Sequence, residues 1–152
     1  MVSAYTTNKA FEKPANGDYV DTWQIPVNGD WDIADKAFGG TFGVSLTNAN
    51  VNLTQNNCQN VRIRLTGSLS GNVTIFFPAG VSGFFIVTDL TTGAYTVTLA
   101  SAGGSPGAVV TTEQSRSAFV FTDGSNVIYA DDSRVSLIAG TGITITGVTT
   151  QT

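Results

Sequence analysis

Residues 61–132 alternate short nonpolar stretches with turn residues, and this pattern restricts the chain to a β fold. Val61, Ile63 and Leu65, for example, are separated by polar side chains, as in a strand that buries one face. Comparable stretches predict further strands at 44–46, 51–53, 73–77, 84–88, 95–99, 108–112, 119–121 and 127–129. No helix is needed to explain the pattern after Gly40.

The turns between these strands indicate how they connect. Thr91-Thr92-Gly93 is suited to a hairpin between strands 84–88 and 95–99, and Asp123-Gly124 to a second hairpin between 119–121 and 127–129. Successive hairpins favour antiparallel pairing. We therefore predict an all-β fold, an antiparallel β-sandwich of jelly-roll-like form that occupies residues 41–134.

Residues 1–40 differ in character from this β region, because they hold nine of the 18 charged side chains and both tryptophans. Asp30 would cap one short helix over residues 30–38, and Gly39-Gly40 would end it. Pro26 and Gly29 interrupt the chain before that helix, so residues 1–29 are expected to be extended with turns. We predict that residues 1–40 form an N-terminal attachment arm.

The C-terminal residues 135–152 are rich in glycine and threonine. Ile143 and Ile145 alternate with threonine, which is typical of a strand, but such a strand alone would present an unprotected edge. Pairing with neighbouring subunits would cover that edge. We therefore predict a C-terminal strand tail that pairs with neighbouring subunits, and its weakly charged sequence is suited to wrapping around a threefold axis.

Composition limits the partners of the chain. Charged residues make up only 12% of its 152 residues and the net charge is -4, with no cluster of lysine or arginine. We therefore expect neither nucleic acid nor an anionic membrane surface as a partner. No stretch approaches the roughly 20 nonpolar residues of a transmembrane helix, and the first ten residues lack the pattern of a signal peptide.

The same composition removes most of the side chains used in catalysis. The chain has no histidine, which excludes serine triads, cysteine–histidine pairs and imidazole metal sites. Cys58 is the single cysteine, so it has no disulfide partner in the chain and cannot build a zinc cage; we predict a small buried thiol.

Carboxylates are the remaining candidates for chemistry. Two acidic residues can act as a glycosidase pair, but those of this chain stand in no diagnostic pattern. Asp30 with Asp32, or Asp131 with Asp132, could offer oxygen ligands to calcium, although the full loop pattern is missing. Capping, turn formation and strand-end solvation explain these residues equally well. We predict no catalytic residue, no cofactor and no bound metal.

Large aromatic side chains are concentrated in the N-terminal segment, and aromatic residues are favoured anchors in protein interfaces. The residues predicted to dock another protein are Tyr19, Trp23, Trp31 and Phe38. In an alternative interpretation, Trp31 and Phe38 fix the short helix to their own domain. A sugar could stack on Tyr95 or Tyr129, but their nonpolar strand neighbours favour a packing role.

Several motifs resemble those of fibre-type virion proteins of tailed bacteriophages. In the N-terminal segment they are Tyr5-Thr6-Thr7-Asn8-Lys9, Gly17-Asp18-Tyr19-Val20-Asp21-Thr22-Trp23 and Asn28-Gly29-Asp30-Trp31-Asp32-Ile33-Ala34-Asp35, followed by Phe38-Gly39-Gly40-Thr41. In the β region they are Gln59-Asn60-Val61-Arg62-Ile63-Arg64-Leu65-Thr66-Gly67, Phe77-Pro78-Ala79-Gly80 and Phe121-Thr122-Asp123-Gly124-Ser125-Asn126-Val127. These motifs are structural and imply no active site.

The resemblance implies a non-enzymatic virion structural protein, assembled in the host cytoplasm, whose N-terminal arm attaches a trimeric β-module to other virion proteins. A fibre or appendage component is the first expectation, and a capsid decoration protein is an alternative within the same class. A carbohydrate-binding adhesin is a third hypothesis, with a host surface glycan bound by loops such as 101–107 or Ser82-Gly83. A polysaccharide depolymerase is disfavoured because no acid pair can be recognised.

Overall fold

The computed structural model of the chain describes residues 3–102 and 109–130. Over these residues the elements are β1 (Ala4–Tyr5), β2 (Glu12–Lys13), α1 (Gln24–Gly39), β3 (Thr41–Ser45), β4 (Val51–Asn52), the short 3-10 helix η1 (Asn57–Gln59), β5 (Arg62–Ser68), β6 (Val73–Phe77), β7 (Ser82–Thr92), β8 (Val97–Ser101), β9 (Val110–Thr111), β10 (Arg116–Asp123) and β11 (Val127–Tyr129). The predicted all-β class is confirmed, with several sheets and one α-helix. The predicted tail at residues 135–152 lies outside the described residues.

The strands from β3 onward form two separate sheets, and the chain crosses repeatedly from one sheet to the other. One sheet has the order β11-β10-β7-β5-β3 and the other the order β4-β6-β8-β9. Strands β3, β5 and β7 pair in parallel in the first sheet, and β4, β6 and β8 pair in parallel in the second. Strands β3, β5 and β7 of the first sheet are each followed along the chain by a strand of the second. The segment from β3 to β8 therefore forms three stacked coils.

The antiparallel, jelly-roll-like order predicted from the sequence is wrong for these coils. Residues 91–93 do not form the predicted hairpin, because β7 and β8 lie in different sheets. Three pairs of these strands are antiparallel: β10 with β7, β9 with β8, and β10 with β11. That second hairpin, across 122–126, is confirmed. A turn sequence marks a change of direction, but it does not determine whether the next strand pairs or crosses to another sheet.

The nonpolar core lies between the two sheets. Its fully buried side chains are Ile63, Leu65, Val73, Ile75, Phe77, Phe85, Val87, Val97, Leu99, Val110, Val120 and Val127. The rings of Phe77 and Phe85 lie 5.0 Å apart and link the two layers. Asp89 is also buried, and it accepts hydrogen bonds from the Thr91 hydroxyl at 2.7 Å and the Thr112 hydroxyl at 2.6 Å. This carboxylate therefore ties β7 to the loop that follows β9.

Asparagine side chains connect the coils at their corners. The side-chain oxygen of Asn48 accepts from the backbone N–H of Ser70, one coil further along the chain. Asn72 repeats this contact with the N–H of Thr96 at 3.1 Å. The backbone at each corner leaves the ladder and would otherwise lack partners, so these side chains replace the missing ladder bonds.

Two glycines allow the coils to stack closely. A Cβ atom at Gly67 would lie 2.5 Å from the carbonyl oxygen of Leu46, and one at Gly93 would lie 2.4 Å from that of Leu69. Both glycines also have a positive φ, at 133° and 106°, which L side chains rarely adopt. The Leu46 and Leu69 N–H groups in turn bond to the carbonyl oxygens of the next coil. Glycine is therefore required at these corners.

We predict that Gly67→Ala lowers the free energy of unfolding by about 2 kcal/mol or more, because the new methyl group meets the Leu46 carbonyl and the backbone becomes strained. Gly71→Ala is the matched control, since no atom lies within 4 Å of the added methyl group. Urea unfolding followed by circular dichroism measures both. Equal stability of the two variants would contradict the close approach of these coils.

The helix is longer than predicted, because it begins at Gln24 and not at Asp30. Pro26 lies in the first turn, where its missing N–H costs no helical hydrogen bond, and Gly29 is accommodated inside the helix. The prediction of extended chain is therefore wrong for residues 24–29. Asp30 does not cap the helix, but its carboxylate accepts a hydrogen bond from the Glu12 N–H at 2.7 Å. The end of the helix at Gly39 is confirmed.

Candidate interaction surface

The N-terminal segment is tied to the sandwich by Lys9. Its ammonium group donates to the carbonyl oxygens of Cys58 at 2.7 Å and Gln59 at 3.4 Å. The same group lies 4.9 Å from the centre of the Phe85 ring, within the range of a cation–π contact. Partial burial lowers the pKa of Lys9 from its ordinary value. Lys9 thus covers the last carbonyls of η1 and one edge of the core.

Further hydrogen bonds extend this attachment. The Gln55 side-chain amide donates to the carbonyl oxygens of Thr6 and Thr7, and the Asn8 side chain accepts from the Ser82 N–H at 3.0 Å. At the end of α1, the Val61 N–H donates to the Lys36 carbonyl at 3.0 Å. The start of the chain and the end of α1 are therefore both fixed to the β region.

Cys58 is buried, as predicted from the sequence. Burial raises the pKa of its thiol to about 12, and the nearby positive charge of Lys9 opposes that shift. At neutral pH the group is consequently protonated and is a poor nucleophile. Its side chain is part of the core that Lys9 closes.

We predict that Lys9→Met lowers the free energy of unfolding by about 1–3 kcal/mol, because two carbonyl groups lose a charged donor while the nonpolar stem is kept. Lys13→Met is the control, since Lys13 lies exposed in β2. Urea unfolding of both variants gives the comparison. If Lys9→Met were as stable as Lys13→Met, the attachment of the N-terminal segment would not depend on this ammonium group.

Helix α1 carries a row of exposed nonpolar side chains. Val27, Trp31 and Phe38 lie on one side of it at helical spacing, and we call these three residues the helix stripe. Trp31 is 70% exposed and Phe38 is 89% exposed. The interpretation in which Trp31 and Phe38 fix the helix to their own domain is therefore wrong. Pro26, on another side of α1, is buried instead.

The other two predicted docking residues lie elsewhere. Trp23 precedes the first turn of α1 and is 66% exposed. Tyr19 is half-buried in the turns before the helix, where its hydroxyl donates to the Glu12 carboxylate at 2.7 Å. That hydrogen bond raises the pKa of Tyr19. Trp31 and Phe38 thus lie together with Val27 on one side of α1. Trp23 lies just before the start of that helix, and the Tyr19 hydroxyl is bonded to Glu12.

A second nonpolar surface, on the outer face of the five-stranded sheet, was missed by the sequence reasoning. We call it the outer patch, and its residues are Phe84, Ile86, Phe119, Phe121 and Ile128. The register places Ile86 opposite Phe119, and Phe121 opposite both Phe84 and Ile128. The Phe84 ring lies 5.5 Å from that of Phe119 and 5.0 Å from that of Phe121. Phe84 is 57% exposed and Phe119 is 42% exposed.

A sequence signal for this patch was present. Residues 84–87 are nonpolar without interruption, and so are residues 118–121. Such runs are typical of strands covered on both faces, whereas strict alternation is typical of strands with one solvated face. Phe85, Val87 and Val120 of these runs fill the core and Ala118 packs against it. Phe84, Ile86, Phe119 and Phe121 therefore face outward.

The carboxylates considered for chemistry do not assemble into a site. Within residues 3–102 and 109–130, no group of three or more potential metal ligands is found. Asp123 accepts from the N–H groups of Ser125 and Asn126, which is the turn role predicted for it; these bonds, together with one from the Asn126 side chain, lower its pKa. Asp131 and Asp132 lie outside the described residues.

The residues considered for sugar binding are partly exposed or take part in hydrogen bonds within the chain. Tyr95 and Tyr129 are both partly exposed, and the Tyr129 hydroxyl donates to the Thr111 carbonyl at 2.7 Å. Ser82 forms its backbone bond with Asn8. Most of the loop 101–107 lies outside the described part of the chain.

Among the described residues, no helix has the length and nonpolar character required to cross a bilayer.

Comparison with family models, curated proteins and solved structures found no match for the chain.

Proposed function

We propose that this chain is a non-enzymatic structural protein of a tailed-bacteriophage virion, a homotrimeric fibre or appendage component that its N-terminal arm docks to other virion proteins. The observation that carries the proposal is the helix stripe. Trp31 and Phe38 are large, nonpolar and exposed on a helix that is itself anchored to the sandwich. The motifs resembling fibre-type virion proteins supply the virion context, and assembly would take place in the host cytoplasm.

The physical argument concerns exposed nonpolar area. Aromatic side chains bury about 150–250 Å² each when they are covered. Covering the exposed parts of Trp31 and Phe38, which are 70% and 89% exposed, would therefore contribute roughly 6–10 kcal/mol at about 25 cal/mol per Å², before the cost of ordering the partners. Interfaces commonly depend on a few aromatic anchors of this kind. Because α1 is already folded and attached, little further ordering would be needed when it docks.

A capsid decoration protein is the second candidate, because the same exposed surfaces would serve to clamp shell subunits. Copy number separates the two functions. A fibre or appendage is expected at roughly six to eighteen copies per particle, as for trimers on closed symmetric rings, and decoration at on the order of hundreds. Quantitative mass spectrometry of purified particles provides this number.

We predict that the double variant Trp31→Ala, Phe38→Ala folds normally but enters particles at least about tenfold less than the unmodified chain, because two anchors of the docking surface are lost. Particles purified from infected cells, with the variant supplied in place of the unmodified chain, are assayed by mass spectrometry. Circular dichroism of the purified variant checks its fold.

Tyr95→Ala is the matched control, since Tyr95 is a partly exposed aromatic residue away from α1. It is expected to enter particles at the level of the unmodified chain. Normal incorporation of a folded Trp31→Ala, Phe38→Ala protein would contradict docking by the helix. Loss of host attachment in Tyr95→Ala particles of normal composition would support the adhesin hypothesis instead.

A further inference from the structure

The outer patch has the composition of a covered surface. It is a contiguous group of five large nonpolar side chains on three neighbouring strands, β7, β10 and β11. A nonpolar sheet face is normally buried against another layer, and a helix is one of the elements that supply such a layer. In the described part of the chain, Phe84, Ile86, Phe119 and Ile128 all remain substantially exposed.

Positive charge borders the patch on the side of β5. Arg62 lies opposite Ile86 in the register, and Arg64 lies opposite Thr88. Both arginines are exposed on the outer face of the sheet. Arg62 is held over the sheet by a 3.0 Å hydrogen bond from its Nε to the Thr88 hydroxyl. The surface is therefore nonpolar at its centre and cationic at one border.

The helix stripe has the complementary arrangement. Asp35 follows Trp31 by one helical turn, and Asp32 lies about 100° around α1 from Trp31. Both carboxylates are exposed. The stripe is thus nonpolar at its centre and anionic at one border. Three turns of helix separate Val27 from Phe38 and span roughly 16 Å, close to the roughly 14 Å across the three strands of the patch and the neighbouring β5.

The two surfaces do not cover each other within one chain. Helix α1 packs mainly against β2 and η1, whereas Trp31 and Phe38 of the stripe remain exposed. Hydrogen bonds at Lys36 and Asp30 hold it there. Within residues 3–102 and 109–130 both surfaces remain exposed, and a second copy of the chain offers each of them the complementary partner.

We propose that the helix stripe of one copy packs on the outer patch of a second copy, with Asp35 and Asp32 facing Arg64 and Arg62. The inference rests on the proposed function and names a second copy of the chain as the direct partner of the stripe; docking to other virion proteins then requires the assembled trimer. The contact is heterologous, because different surfaces of the two copies meet. Such contacts close into a ring when the rotation between copies allows it, and three copies give the trimer.

The experiment uses two full-length variants, each with one surface blocked. Trp31→Asp places a charge in the stripe and leaves the patch intact, while Phe119→Asp places a charge in the patch and leaves the stripe intact. Native mass spectrometry at micromolar concentration should give a trimer for the unmodified chain, whose subunit mass is 15.8 kDa, and monomers for each variant alone. A mixture of the two variants should form a heterodimer, because one good stripe then meets one good patch.

A charge reversal provides a milder second test. Arg64→Glu and Asp35→Lys should each weaken association at least about tenfold, and their combination in one chain should restore it. Neither side chain is used in the internal hydrogen bonds described above, so folding should be unaffected. Lys13→Glu is the control, and its association should match that of the unmodified chain.

Three outcomes would overturn the inference: an unmodified chain that is monomeric, single variants that remain trimeric, or folded variants whose mixture forms no heterodimer. These outcomes are distinct from failure of the proposed function. A monomeric chain whose incorporation into particles still requires Trp31 and Phe38 would show that the stripe docks another virion protein. Normal incorporation of the Trp31→Ala, Phe38→Ala variant would instead refute the docking role of the stripe altogether.

Discussion

Close parallel stacking of three coils is the constraint on which the rest of this structure depends. It requires the backbone at Gly67 and Gly93 to approach the carbonyl groups of Leu46 and Leu69, which no residue with a Cβ atom permits without a shift. Once the coils stack, the inward side chains of both sheets form one core. Asn48 and Asn72 then satisfy the backbone at the corners. The antiparallel pairing of β10 with β7, the outer strand of the coils, places Phe84, Ile86 and Phe119 on one outer face.

Stacked coils also leave ends that must be covered, and the N-terminal segment contributes to this. Lys9 closes the edge of the core near Phe85 and Cys58, and so the arm is integrated into the domain. This attachment determines where α1 lies and which side of it faces solvent. A rigidly held helix with exposed Trp31 and Phe38 is better prepared for docking than a flexible arm, since less conformational entropy is lost on binding.

The class of the fold and much of its strand content could be predicted from the sequence, because alternation of side chains reports one buried face directly. The pairing could not. Thr91-Thr92-Gly93 resembles a hairpin turn, yet it leads from one sheet to the other. The feature that distinguishes this crossing from a hairpin is the close approach of Gly93 to the Leu69 carbonyl, which the sequence does not show. Pro26 and Gly29 were interpreted as breaks in the chain, although proline is tolerated in the first turn of a helix.

The candidate surface was predictable in part. The aromatic content of residues 1–40 pointed to docking, and the spacing of Trp31 and Phe38 placed both on one side of a helix. The sequence could not tell whether that side was buried. The outer patch depends on the register of three strands distant in sequence, so its members could not be grouped beforehand. The unbroken nonpolar run at 84–87 was nevertheless a usable sign that both faces of β7 need a cover.

Photo-crosslinking from the stripe tests most directly whether these two surfaces meet. The position of Phe38 is replaced by p-benzoylphenylalanine in an isotopically light chain, which is mixed with a heavy unmodified chain and irradiated. The account predicts cross-linked peptides that join light position 38 to heavy residues of β7 or β10. Cross-links confined to a single chain, or directed to other parts of the heavy chain, would contradict it.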